Sequence, residues 1–141
     1  MVLGIGEGKL ELFLNGNTFS PGQAINGRVK LTLNEPTLAR ELRVEFYGLV
    51  KRGNHFDRIH EVKQLLSQER TYRSGENFEF SLAIPSDAIS STPFQGIFGN
   101  LYQAFAPRPS WFVEASLDMP NKLDINSKVQ VILISRPLGG V

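Results

Sequence analysis

The 141-residue chain contains no cysteine. A disulfide framework, a thiolate metal site and a cysteine nucleophile are therefore all excluded, and the composition fits a reducing compartment. There are only two histidines, His55 and His60, and no Gly-x-Ser-x-Gly elbow, so the side chains for a Ser-His-Asp arrangement are scarce. Charge of one sign is also missing: 15 Lys plus Arg stand against 14 Asp plus Glu, a formal net charge of +1. That balance offers no whole-chain field for nucleic acid or an anionic membrane. No apolar run approaches the roughly 20 residues of a membrane-spanning helix, and Met1 to Gly8 lack the basic and apolar regions of a secretory leader. With no Asn-x-Ser/Thr acceptor either, the expectation is a cytoplasmic protein without direct membrane insertion.

What is present is alternation. In Phe19-Ser-Pro-Gly-Gln-Ala-Ile-Asn-Gly-Arg-Val-Lys-Leu-Thr-Leu33, Pro21 presets one corner of a turn and Gly22 frees the next. Val29, Leu31 and Leu33 then share one face of a strand, with Arg28, Lys30 and Thr32 on the other. Gly27 interrupts the start of that strand and suggests a bulge or a close backbone approach. Leu10, Leu12 and Leu14 mark an earlier strand that ends at Asn15-Gly16-Asn17. Leu42, Val44, Phe46 and Val50 alternate with Arg43, Glu45, Tyr47 and Lys51 in the clearest strand of all. Lys51 to Arg58 reads as a hairpin tip. The return from Ile59 to Tyr72 is less regular, because Ile59, Val62, Leu65, Leu66 and Glu69 also fit helical spacing; the hairpin requires a strand there.

After a turn at Ser74-Gly75-Glu76, Phe78, Phe80, Leu82 and Ile84 form one face of a strand stopped by Pro85. In the irregular stretch 86–110, Phe94, Ile97, Phe98, Leu101, Tyr102 and Phe105 recur at helical intervals behind Thr92-Pro93, while Gly96 and Gly99 oppose a helix. A loop with a short helical turn in 92–107 satisfies both. Strands with Trp111, Val113, Ala115, Leu117 and Met119, and with Val129, Val131 and Leu133, complete the chain. About seven strands without helix-strand alternation indicate an all-β fold, an antiparallel immunoglobulin-like β-sandwich over residues 8–136. Residues 1–7 read as a flexible leader and 137–141 as a frayed tail. Leu12, Val44, Phe46, Phe80 and Val113 are the candidate core.

Several ordered segments resemble the N-terminal sandwich of the arrestin family. They are Phe19 to Val29, Leu42 to Gly48, Tyr72 to Phe80 with Ile84-Pro85, Phe94-Gln-Gly-Ile-Phe-Gly99, and Val113-Glu-Ala115. The resemblance implies an arrestin-like fold and a non-enzymatic intracellular adaptor or scaffold for protein partners, of the trafficking or signalling type. Arrestins pair two such sandwiches, and these 141 residues have room for one. The Lys51–Arg58 tip corresponds in position to the loop that arrestins insert into receptors.

Two segments emerge as candidate partner-binding sites. The first is the tip, with Arg52, His55, Phe56 and Arg58, because binding residues concentrate on loops held by a rigid scaffold. The second is the apolar set Phe94, Ile97, Phe98, Leu101, Tyr102 and Phe105, which either plugs the sandwich or meets a partner or a second copy. A homodimer or a self-assembling structural subunit, using edge strands or the 92–107 loop, is the alternative reading. His55, Asp57, His60 and Glu61 form the one His/carboxylate cluster and would be needed for a metal-dependent hydrolase. On a regular strand, however, His60 and Glu61 point to opposite faces and cannot share an ion without a bulge. No catalytic residue, metal, cofactor or nucleic-acid partner is expected.

Overall fold

A computed structural model describes residues 8–89, 108–120 and 122–134. Among these residues ten strands follow in chain order: β1 (Gly8–Leu14), β2 (Thr18–Phe19), β3 (Ala24–Leu33), β4 (Thr37–Ala39), β5 (Glu41–Arg52), β6 (His55–Ser67), β7 (Arg70–Tyr72), β8 (Asn77–Ala83), β9 (Ser110–Asp118) and β10 (Ile125–Leu133). A three-stranded sheet, β1-β3-β8, packs on a five-stranded sheet, β2-β10-β9-β5-β6, with β4-β7 as a small extra ribbon. Pairing is antiparallel except between β2 and β10. Among the described residues there is no helix, and the architecture is the expected β-sandwich. The proposed leader 1–7, the tail 137–141 and the 92–107 loop lie outside the described residues.

The seven strands legible in the sequence are the seven long ones, and β2, β4 and β7 are additions of two or three residues. Asn15-Gly16-Asn17 is where the chain changes sheets. The Asn15 amide still bonds the Asn26 carbonyl of β3 at 2.9 Å, whereas the Asn17 carbonyl accepts from Ile132 of β10 at 2.8 Å. The expected single strand from Ile59 to Tyr72 instead starts at His55 and breaks after Ser67. There the chain leaves β5 to pair with β4, and the buried Tyr72 hydroxyl donates to the Gln68 carbonyl at 2.6 Å.

The turn at Ser20–Gln23 has the form the sequence requires. Gly22 has φ +85°, and the Gln23 amide donates to the Ser20 carbonyl at 3.0 Å, as in a type II turn with Pro at its first corner. The Gln23 side chain accepts from the Ser20 amide at 2.9 Å, while the Gly22 and Ile84 amides bond Ile84 and Gln23 carbonyls at 2.9 Å. The turn is thereby fastened to the end of β8. At the other end of β3, the turn through Gly75 (φ +90°) closes over Leu31 and Leu33. The Gly75 amide donates to the Leu31 carbonyl at 2.7 Å and the Leu33 amide to Ser74 Oγ at 3.0 Å.

Both sheets present their apolar alternation inward. Ile25, Val29, Leu31 and Leu33 of β3 belong to one buried cluster with Leu42, Val44 and Phe46 of β5 and Trp111, Val113, Ala115 and Leu117 of β9. Each fully buried Val, Leu, Ile or Phe among them contributes roughly 1.5–3 kcal/mol of burial. Of the five candidate core residues, Val44, Phe46, Phe80 and Val113 are buried and Leu12 is packed against them half-buried. Gly27 is a close approach and not a bulge, since the β3-β8 register runs through it without a shift and the β1-β3 ladder reaches it in register. A methyl there would overlap the Phe13 carbonyl and the Phe80 ring.

Gly48 is the second close approach. It pairs with Trp111, whose ring lies nearly parallel to that of Phe46, 5.4 Å between centroids and 4° between planes. A Cβ at Gly48 would stand 2.7 Å from that indole and 3.0 Å from Ile59. Gly48→Ala is therefore expected to destabilise the sandwich by about 1–3 kcal/mol through overpacking, read by urea unfolding with the lone tryptophan as reporter. A change under about 0.5 kcal/mol would show that the indole is free to move away.

Candidate functional site

β5 and β6 meet in a two-residue turn, tighter than the Lys51–Arg58 tip read from sequence. Gly53 has φ +64° and Asn54 does not share that region, the pattern of a type II′ hairpin with glycine first. Arg52 pairs with His55, Lys51 with Phe56, Val50 with Asp57 and Leu49 with Arg58. The β9 ladder against β5 ends at Leu49–Ser110, so among the described residues the segment 50–57 continues past it as a two-strand ribbon. Phe56 is 61% exposed on this ribbon. Asp57 forms an ion pair with Arg52 Nε at 2.9 Å and lies 3.4 Å from His55 Nε2. Arg52, His55 and Phe56 are thus together at the tip, exposed, with Arg52 already ion-paired.

Further along, the ladder slips. Phe46 pairs with Val62 and Gly48 with Ile59, so Tyr47 faces two residues, His60 and Glu61. His60 takes φ +53°, the left-handed region that a non-glycine residue enters at a cost, and is the one such residue among those described. This is a β-bulge. It keeps both Ile59 and Val62 packed against the core although they are three residues apart. It also divides the suspected cluster: the His60 ring lies 6.0 Å from the Trp111 ring on the inner side, and Glu61 pairs with Arg58 at 3.2 Å. Among the described residues, no group of three His, Asp or Glu side chains is arranged to hold a metal.

The outer face beside the bulge carries a network that the sequence did not single out. The Arg58 guanidinium lies 3.8 Å above the Tyr47 ring centroid. It reaches Glu45 at 3.3 Å, Glu61 at 3.2 Å and Glu114 at 3.5 Å. Tyr47 Oη donates to Glu114 Oε1 at 2.8 Å, and the Tyr47 ring stands 5.8 Å from that of Phe112. Burial and the Glu114 bond push the Tyr47 phenol up to about 12. Burial works against the Arg58 charge, but Glu61 and Glu45 outweigh it and raise its pKa. Arg58 therefore fastens β6 to β5 and β9 and is not a free surface cation. Glu45 and Tyr47 were visible only as the polar side of an alternating strand, and the link to Glu114 spans 67 residues. Phe94, Ile97, Phe98, Leu101, Tyr102 and Phe105 lie outside the described residues.

No family model matches the chain, and no curated protein matches it in sequence. Among solved structures, Spo0M, a sporulation control protein from Bacillus subtilis, is similar with a TM-score of 0.62 at 16% identity, covering 94% of this chain and 51% of Spo0M. The chain thus spans about half the length of Spo0M, and the likeness is one of fold. The curli protein CsgC from E. coli, at 13% identity, covers 86% of this chain and 97% of its own with a TM-score of 0.36.

The network carries its own test. Tyr47→Phe removes one charge-assisted hydrogen bond and is expected to cost about 1–2 kcal/mol in urea unfolding. Because the folded phenol has a raised pKa, its contribution is complete below the unfolded value near 10 and is lost as pH rises through about 12. Tyrosinate absorbance of the folded protein should show that late ionisation in wild type, and Glu114→Gln should bring it to lower pH.

Proposed function

We propose that this chain is a non-enzymatic protein–protein interaction module of arrestin-like type, an adaptor or scaffold acting in the cytoplasm. Its partner-binding residues are Arg52, His55, Phe56 and Arg58 at the β5–β6 hairpin, and in sequence Phe94, Ile97, Phe98, Leu101, Tyr102 and Phe105. The observation that carries the reading is the ribbon of residues 50–57, which among the described residues extends past the β9 ladder and exposes Phe56 opposite Lys51, with Arg52 and His55 on its other face. An aromatic ring and a guanidinium on a fixed hairpin are the side chains that most often dominate binding energy. The ordered arrestin-like segments of the sequence and the fold shared with Spo0M support the class of protein. Within the hairpin, Phe56 is the central contact, and Arg58 at the base also positions the ribbon through Tyr47.

Self-assembly has one observation in its favour. β2 covers only Ile132 and Leu133 of β10, so residues 125–131 have an edge without a ladder partner among the described residues. Unpaired edges invite strand addition from another copy. Affinity isolation with the purified chain separates the two readings. A partner protein retained by wild type should be lost with Phe56→Asp while the urea midpoint stays within about 0.5 kcal/mol of wild type. Equal retention by both proteins would contradict a binding role for the tip, and light scattering that finds a monomer would remove the homo-oligomer.

A further inference from the structure

The chain contains two Asn-Gly steps, Asn15-Gly16 and Asn26-Gly27, and the fold brings their asparagines together. Leu14 pairs with Gly27 in the last rung of the β1-β3 ladder, so the next rung would join Asn15 to Asn26. Half of that rung forms in the ordinary way, with the Asn15 amide donating to the Asn26 carbonyl at 2.9 Å. In the other half the Asn26 amide donates at 3.2 Å to Asn15 Oδ1, where a regular ladder would use the Asn15 main-chain carbonyl. The side chain thus stands in for its own backbone, and the main chain is released to cross to β2.

An Asn-Gly step carries its own reactive pair. The glycine nitrogen closes a five-membered ring when it attacks the preceding side-chain carbonyl, and glycine has no Cβ to hinder the approach. We propose that Asn15 is a site of spontaneous deamidation and isoaspartate formation in the folded chain, and that the sheet shields Asn26 from the same reaction. The Gly16 nitrogen bonds to Asn15 Cγ, the Cγ–Nδ2 bond breaks, and ammonia leaves with the proton lost by the Gly16 amide. Water then opens the succinimide at either of its two carbonyls, giving aspartate or isoaspartate. One water is consumed and one ammonia released, with no oxidation or reduction. Negative charge collects on Oδ1 in the first step, and the Asn26 N–H already points at that atom, as an oxyanion donor does.

The two asparagines differ in freedom. Asn15 is exposed, and neither it nor Gly16 belongs to a strand. Asn26 pairs with Ser81, and Gly27 pairs with both Leu14 and Phe80, so ring closure at Asn26 requires two ladders to open. Asn17, beside the same crossing, precedes Thr18, whose branched Cβ crowds the attacking nitrogen, and its carbonyl is held by the Ile132 amide. Isoaspartate at position 15 would carry the main chain through the former side chain and lengthen it by one methylene. The Asn26 amide would lose the carbonyl that now completes its rung, so the change falls on the joint between the two sheets.

Gly16 supplies a control that the fold tolerates. It lies outside the left-handed region, and the nearest atom to a Cβ there would be in the Phe19 ring at 3.8 Å, an ordinary contact. The full chain is incubated folded in mildly alkaline buffer and then digested, and tandem mass spectrometry reads each asparagine separately as a gain of about one mass unit. Asn15 should convert at least about tenfold faster than Asn26 in the folded chain, and the two should come within about threefold of each other in concentrated urea, where both ladders are gone. Part of the Asn15 product should be isoaspartate by its backbone fragments. Gly16→Ala, with its urea midpoint retained, should slow conversion at Asn15 severalfold and leave Asn26 unchanged. Equal rates at the two sites in the folded chain, conversion of Asn15 in urea alone, or an Asn15 rate that ignores Gly16→Ala would each overturn the proposal.

Discussion

Two residues of β6, His60 and Glu61, stand opposite the single Tyr47 of β5, and the five-stranded sheet is arranged around that mismatch. A strand alternates its side chains strictly, so Ile59 and Val62, three positions apart, could not both face the core without an added residue between them. The bulge supplies it. On the inner side the imidazole comes to lie against Trp111, whose ring in turn stacks on Phe46. Gly48 leaves room for the indole because it has no side chain. On the outer side Glu61 joins Glu45 and Glu114 around Arg58. One backbone irregularity thus organises both faces of the sheet.

Much of the fold was legible because it is local. The Pro21-Gly22 turn and the alternation of β3 and β5 need no information from elsewhere in the chain, and each took the expected form. The stretch after Ile59 was ambiguous for a physical reason. Its apolar spacing mixes two and three because β6 contains two register shifts, one at His60–Glu61 and one at Leu66, and a bulge is specified by the partner strand as much as by its own residues. The strands β2, β4 and β7, of two or three residues, are too short to show a period.

The candidate site divides in the same way. Arg52, His55 and Phe56 were readable as an exposed tip because a polar stretch around Gly53-Asn54 separates two strands. The position of Arg58 was not readable, since its place above Tyr47 depends on Glu114 from β9. The result is a hairpin whose base is held by a buried ring, a guanidinium and three carboxylates, while its end carries an exposed aromatic ring. Under the proposed adaptor reading, a firm base lowers the entropy lost when the tip is ordered against a partner.

The bulge itself is open to a direct check by cross-strand nuclear Overhauser contacts between β5 and β6. With the extra residue in place, Gly48 lies opposite Ile59 and Phe46 opposite Val62, and contacts should appear between the backbone protons of those pairs. An unbroken ladder continuing from Phe46–Val62 would place Gly48 opposite His60 instead. Contacts of Gly48 with Ile59 would support the account, and contacts of Gly48 with His60 in their place would contradict it.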